Sequence, residues 1–181
     1  MYPKLFATQN ENKFREARDI LGCDLKQVTI ELFEPQGLKV EDVVCEKAKN
    51  AFQKTGEAVL VEDTSLEFEA WNGLPGALVK WFLDAVDCAG ILKMLREETN
   101  RKAVAKTAVG FFDGVDFQVF VGEISGIIPD EVRGSHGFGF DSIFIPDGFE
   151  KSFAEMTALE KNTISMRKIA FTRMKKALSQ K

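Results

Sequence analysis

The sequence predicts an α/β domain on a mixed β-sheet, parallel in part and hairpin in part. Three observations carry that prediction. Strand-length apolar runs alternate with helical patterns over the first sixty residues, as in βαβ units. Two longer strand-like runs then meet at Asp113-Gly114, a strong signal for a tight antiparallel turn. The 181 residues contain no repeat, low-complexity tract or linker composition, so residues 1–181 are taken as a single domain.

The first strand is placed at Lys4–Thr8. It leads into a helix over Glu11–Leu21, where Phe14, Ala17 and Leu21 share one face and Gly22 stops the helix. A second strand, Gln27–Phe33, precedes a helix from Glu41 to Thr55 that turns Val44, Ala48, Ala51 and Phe52 inward and closes at Gly56. Ala58–Val61 is a short, fully apolar strand of the kind covered on both faces. A helix is placed at Cys88–Glu97. The hairpin arms follow at Ala103–Phe112 and Val115–Ile124, the second alternating Val115, Phe117, Val119 and Val121 with Asp116, Gln118 and Gly122. After a glycine-rich loop (Gly134–Gly139) comes a strand near Ile143–Ile145. A final helix starts from about Thr157, where Glu160 completes a capping box.

Composition narrows the function. With 45% hydrophobic and 29% charged residues, this is the profile of an ordinary globular protein. No apolar run approaches the roughly 20 residues that span a bilayer, and the N-terminal stretch lacks the pattern of a signal peptide. A cytoplasmic location without a membrane partner is expected. Cys23, Cys45 and Cys88 are odd in number and lack CxxC spacing, which indicates neither a disulfide framework nor a zinc site. His136 is the one histidine, so paired-histidine metal chemistry is excluded. A net charge of −4 argues against a nucleic-acid partner and leaves room for a local basic pocket that binds a small anion.

Two stretches point to that pocket. In "FATQNENK", Asn10 is placed to cap the first helix, and Lys13 stands where a capping box would carry Glu or Gln. A cation in the first turn opposes the helix dipole, a cost of about 0.3–1 kcal/mol that a bound anion would reverse. The terminus, the Thr8 hydroxyl, the Asn10 amide and the Lys13 ammonium together form a candidate phosphate cradle; the alternative is a capped surface helix with a solvated lysine. In "VLVEDTSL", an apolar strand ends in Glu62-Asp63. Ligands of open α/β sheets collect at the carboxyl ends of strands, so Asp63 falls on the same edge as Thr8. Adjacent strand residues face opposite ways, so Glu62 is not expected to share an ion with Asp63. Glu34, which also follows a strand, is the candidate partner carboxylate. One or two carboxylates completed by water and phosphate suit Mg²⁺; solvated loop acids are the bland alternative.

The combination resembles a known family. "TQNENK" is similar to the Ser/Thr-x-Asn-x-x-Lys signature of the inosine triphosphate pyrophosphatase family. "VEDTSL", "GLPGALVKWF", "GFGFDSIFIPDG", "FAEM" and "EKNTISMR" resemble further blocks of that family in the same order, from about Leu5 to Ala177. The resemblance implies an elongated mixed sheet flanked by helices, with two lobes around a central cleft, in a homodimer. It implies Mg²⁺-dependent hydrolysis of a non-standard purine nucleoside triphosphate to the monophosphate and pyrophosphate. Thr8, Asn10 and Lys13 would then hold phosphates, with Lys47 and Lys80 assisting, and Gln9, Glu11, Asn12 and Thr64 belonging to the same substrate site. Glu34 and Asp63 would bind metal, and Asp63 is the family's catalytic base. Phe138, Gly139, Phe140 and Asp141, with Lys161, Met166 and Arg167, would surround the nucleobase. Two positions depart from the family pattern: Met166 stands where histidine is usual and Phe140 where Tyr or Trp is commoner. Both keep apolar contact and lose a polar handle. His136 is read as a loop residue near the base pocket, "RMKK" as a solvated helix end, and Trp71 and Trp81 as packing or dimer-interface residues.

Overall fold

A computed structural model describes residues 4–37 and 39–179. The sheet has seven strands in the order β2-β1-β3-β5-β6-β7, with β4 paired to β3 off that path. The strands are β1 (Leu5–Ala7), β2 (Lys26–Val28), β3 (Val59–Phe68), β4 (Pro75–Gly76), β5 (Lys102–Phe112), β6 (Phe117–Ile127) and β7 (Ile145–Pro146). β1 is parallel to β2 and β3, while the other pairings are antiparallel. The mixed sheet is therefore as expected. The helices are α1 (Glu11–Leu21), α2 (Val40–Thr55), α3 (Val79–Met94), α4 (Ala158–Ile164) and α5 (Met166–Leu178).

Burial divides into three apolar clusters. α1 and α5 pack Ala17, Leu21, Phe171 and Met174 onto Phe6 and Leu60. α2 lays Val40, Val44, Ala48 and Ala51 against Val59, Val61 and Ala108. At the far end of β3 and β5, α3 and the loops after β6 enclose Phe68, Ile91, Phe140, Phe144 and Phe153. Each fully buried Leu or Phe side chain contributes about 1.5–3 kcal/mol, which is what fixes the elements around the cleft.

Several boundaries differ from the sequence reading, each for a physical reason. β3 does not stop at Val61 but runs on to Phe68, because β5 pairs with all ten of its residues. Its parallel neighbour β1 reaches only the level of Leu60, so Glu62-Asp63 still lie just past the end of the parallel part. β2 ends at Val28 instead of Phe33, since β1 has no further residues to pair with it. The next stretch bonds to α2 instead: Asn50 Oδ1 accepts from Phe33 N at 3.1 Å and Lys54 Nζ donates to Glu31 O at 2.6 Å.

The hairpin turn is longer than two residues. Phe112 pairs with Phe117, and Asp113 Oδ1 accepts from the N–H groups of Val115 and Asp116, which keeps Val115 out of the second arm. α3 starts at Val79, well before Cys88; its first half is apolar at most positions, so no helical periodicity marks it in the sequence. The helix is broken at Asp87 (φ 55°, ψ −172°), whose carboxylate accepts from Gly90 N at 3.0 Å and caps the half that begins at Cys88. The last strand shifts to Ile145–Pro146, because Asp141–Ile143 forms a short 3-10 turn.

The C-terminal helix is two helices. The Thr157–Glu160 capping box forms as expected, but Ser165 (ψ 155°) interrupts the chain and caps α5 by accepting from Lys168 N at 3.2 Å. α5 then crosses β6 at Gly122, where an added Cβ would come within 2.0 Å of the Met166 carbonyl oxygen. Only glycine allows that approach, and it sets the depth at which Met166 and Arg167 enter the cleft.

Candidate active site

A cleft of about 300 Å³ opens between α1, β3, the first half of α3, the loop before α4 and the start of α5. Of the residues singled out in the sequence, Asn10, Lys13, Glu34, Asp63, Thr64, Lys80, Phe138, Gly139, Phe140, Asp141, Lys161, Met166 and Arg167 line it. Lys47 stands behind Asp63, nearly buried. Thr8, Gln9, Glu11 and Asn12 are outside the lining, and the Asn12 amide oxygen accepts from Arg15.

One end of the cleft gathers the phosphate and metal candidates. Asn10 caps α1 as expected, its Oδ1 accepting from Asn12 N and Lys13 N at 3.0 and 3.1 Å, while Thr8 Oγ1 accepts from Asn10 N. Those bonds occupy the N–H groups of Asn10, Asn12 and Lys13, three backbone donors that a phosphate could have used. An anion here would meet the Lys13 ammonium and the Thr8 O–H rather than these N–H groups. Lys13 Nζ lies 3.3 Å from Glu62 and 3.8 Å from Asp63, and that negative charge offsets its clash with the helix dipole.

Lys47 Nζ sits between Glu34 at 2.7 Å and Asp63 at 3.7 Å, and also donates to the Glu62 carbonyl. Burial would lower its pKa, but Asp63, Glu34 and Glu62 raise it above the ordinary lysine value. Both lysines approach Asp63 through Oδ1, and no described residue bonds Oδ2.

The two adjacent acids both come near Lys13 Nζ, contrary to the expectation that they share no cation, and differ in burial and in their other partners. Glu62 is buried and takes two bonds from Arg167, 2.7 Å from Nε and 2.8 Å from Nη2, plus one from the Thr64 hydroxyl at 3.1 Å. Burial would raise its pKa, yet the charges of Arg167 and Lys13 and the bonds from Arg167 and Thr64 hold it at about 2.

The other end is sealed. Lys161 Nζ donates to Asp141 Oδ2 at 2.6 Å and to Glu16 Oε1 at 3.0 Å, and stands 4.6 Å from the Phe138 ring centre. Asp141 also accepts from Phe138 N at 2.8 Å, and burial pushes its pKa up against the pull of Lys161. Gly137 (φ 75°) closes over this carboxylate, leaving no room for a Cβ. Met166 is 2% exposed and joins the apolar cluster with Phe140. Arg167 bonds Glu16 as well as Glu62, and those carboxylates raise its pKa despite its burial.

Glu16, 7% exposed, is the participant that the sequence reading missed. The available signal was its position one turn after Lys13 on the same helix. His136 is exposed and outside the cleft, Trp71 packs on Phe68 and Phe82, and Trp81 lines the rim at 64% exposure.

A model of the Ham1 family matches residues 4–177. The chain belongs to the Ham1 family. Among curated Ham1 relatives, the dITP/XTP pyrophosphatase of Thermococcus kodakarensis is 41% identical over 165 residues, covering 90% of this chain and 89% of the relative. The inosine triphosphate pyrophosphatase of Kluyveromyces lactis is 39% identical, with 96% of this chain and 94% of that one covered. The solved structure of a HAM1 protein from Coxiella burnetii superposes with a TM-score of 0.87 at 25% identity over 98% of both chains. The mixed sheet with flanking helices is thus the architecture of this Ham1 structure.

Proposed function

We propose that this chain hydrolyses non-standard purine nucleoside triphosphates (ITP, dITP and XTP) to the monophosphate and pyrophosphate. The observation that carries the reading is one cleft with two chemistries: Lys13, Lys47, Glu34 and Asp63 at one end, Phe138, Asp141, Lys161, Met166 and Arg167 at the other. The names of the Thermococcus and Kluyveromyces relatives support it.

Hydrolysis needs a water oxygen in line with the α phosphorus and charge compensation on the departing pyrophosphate. Asp63 Oδ2, without a protein partner among the described residues, orients that water and takes its proton as the new P–O bond forms. The α–β bridging bond breaks, and pyrophosphate leaves toward Lys13, Lys47 and Lys80.

The donor set fits Mg²⁺. Glu34 and Asp63 already face one cation, the Lys47 ammonium, and among the described residues no cluster of three or more His, Cys, Asp or Glu side chains could cage a metal unaided. Two carboxylates completed by phosphate and water are the usual magnesium arrangement. When bound through Glu34 and Asp63, the ion would neutralise phosphate charge and acidify water.

At the base end, Lys161 uses two of its three donors on Glu16 and Asp141 and keeps a third for a 6-oxo acceptor; the 6-amino group of adenine cannot complement it. A preference for another base is the second reading, favoured by Met166, whose thioether makes no strong hydrogen bond. The chain acts as a single domain and a homodimer in the cytoplasm; among the described residues no helix is long and apolar enough to cross a membrane.

The test is incubation with ITP and magnesium, followed by product analysis. Pyrophosphate and IMP are expected, and orthophosphate would refute the reaction. Faster turnover of GTP, ATP or dTTP than of ITP, XTP and dITP would favour the second reading.

A further inference from the structure

We infer that Glu16 is a positioning residue that couples the base end of the cleft to its phosphate end, so that the identity of the base governs turnover as well as binding. The inference rests on the functional reading above.

Glu16 divides its carboxylate between two helices. Oε1 accepts from Lys161 of α4 at 3.0 Å, and Oε2 accepts from Arg167 Nη1 of α5. Beyond Lys161 lies Asp141 at 2.6 Å, tied to the Phe138 backbone. Beyond Arg167 lies Glu62 at 2.7 and 2.8 Å, then Lys13 at 3.3 Å, which also faces Asp63. An unbroken series of side-chain contacts thus joins the loop that holds the base to the carboxylate that activates water, and Glu16 is the link between its halves. α1 carries both Lys13 and Glu16 three residues apart, so the helix itself fixes the spacing between the two ends.

Charge counting shows why a neutral side chain cannot substitute. Glu16, Glu62 and Asp141 supply three negative charges, and Lys13, Lys161 and Arg167 supply three positive ones. Lys13 keeps some exposure, so the local effect decides: without the Glu16 charge the two buried cations Lys161 and Arg167 each lose an anionic partner. Of these carboxylates, Asp141 alone would then hold Lys161 and Glu62 alone would hold Arg167, so the two cations would no longer share a partner. With Glu16 in place, an acceptor on the base that draws on Lys161 also sets the guanidinium of Arg167 and, through Glu62, the ammonium of Lys13.

The test compares kcat and KM for ITP and ATP in the wild type, Glu16→Gln and Glu16→Asp, with melting temperatures measured alongside. Glu16→Gln is expected to lower kcat for ITP by about tenfold, an ordinary size for coupling between sites, while kcat for ATP falls by less than about twofold. The ITP-to-ATP ratio in kcat therefore collapses. Glu16→Asp keeps the charge with a shorter reach and is expected to retain an intermediate ratio. A purely structural Glu16 would lower the melting temperature and scale both substrates alike; equal scaling overturns the inference. If Glu16→Gln does not fold, an Asp variant with the wild-type ratio overturns it. A wild type that releases no pyrophosphate from ITP defeats the functional reading itself, whereas equal scaling in an active enzyme defeats only the coupling.

Discussion

The two ends of the cleft use charge in opposite ways. At the phosphate end, the side chains of Glu34, Asp63 and Lys13 remain 53%, 17% and 17% exposed; Lys13 and Lys47 approach Asp63 no closer than 3.7 Å, and the one short pair, Lys47–Glu34 at 2.7 Å, has its carboxylate open to water. At the base end, Glu16, Glu62, Asp141, Lys161 and Arg167 are all buried, with bonds of 2.6–3.0 Å among them. Loose, wet pairs can exchange partners, which a site must do when phosphate and metal arrive. Tight, dry pairs cannot exchange partners cheaply, so on the proposed function they meet the base as one linked unit. On the same reading, the difference separates a region that reacts from one that recognises.

The largest effect is expected from breaking the reactive end alone. Asp63→Asn removes the proposed proton acceptor and one of the two proposed metal ligands while preserving shape. Pyrophosphate release from ITP should fall by about 10⁴-fold, the upper range for losing a general base. The side chain is only partly buried and its ion pairs are long, so urea denaturation should remain close to wild type. Release within tenfold of wild type would remove Asp63 from the chemistry.

The same contrast explains what could be read from the sequence. Thr8 to Lys13 announce themselves because capping chemistry is local: Asn10 and the N–H groups it serves are two and three residues apart. Glu62-Asp63 stand out because carboxylates at the end of an apolar run need a reason. The mixed sheet was legible because its strands carry strong apolar runs and the hairpin a turn signal. The sealed end was not, since its defining bonds join residues 105, 145 and 151 positions apart. Glu16 reads locally as a solvated helix acid, and nothing within a helical turn of it reveals Lys161 or Arg167. β3 was underestimated for a similar reason: its length is dictated by β5, not by its own polar residues. The break at Ser165 follows from a capping serine inside an otherwise continuous helical pattern.

The sealed end can be loosened by acid. Glu62 is held at about 2 in the fold against an ordinary 4.5. A depressed carboxyl stabilises the fold above its unfolded pKa, and that contribution is lost as pH falls through the folded value. The gap corresponds to about 3 kcal/mol, present at pH 5 and above and lost between about pH 4.5 and 2. Asp141 works in the opposite sense: its raised folded pKa makes the fold bind a proton more readily, so acid favours it. The Glu62 contribution is read in an Asp141→Asn background, where the opposing group is absent. Urea midpoints should therefore drop between pH 5 and pH 3, and a flat profile over that interval would show that the buried pair does not stabilise the fold.

The smallest effect lies at the rim, where Lys80 lines the cleft with its side chain 74% exposed and its ammonium paired to Asp84 four residues on. An exposed i,i+4 pair contributes only about 0.3–0.5 kcal/mol, so Lys80→Ala should barely move stability. If Lys80 turns from Asp84 to the phosphates when substrate arrives, its loss should raise KM for ITP about threefold with kcat unchanged, the pattern of lost uniform binding. Asp84→Asn gives the sharper result because its sign is opposite: with the competing carboxylate gone, Lys80 is free for phosphate and KM should fall. A rise in KM in both variants would mean that the pair acts as a strut on α3, and the exchange of partners would then be confined to Lys13 and Lys47.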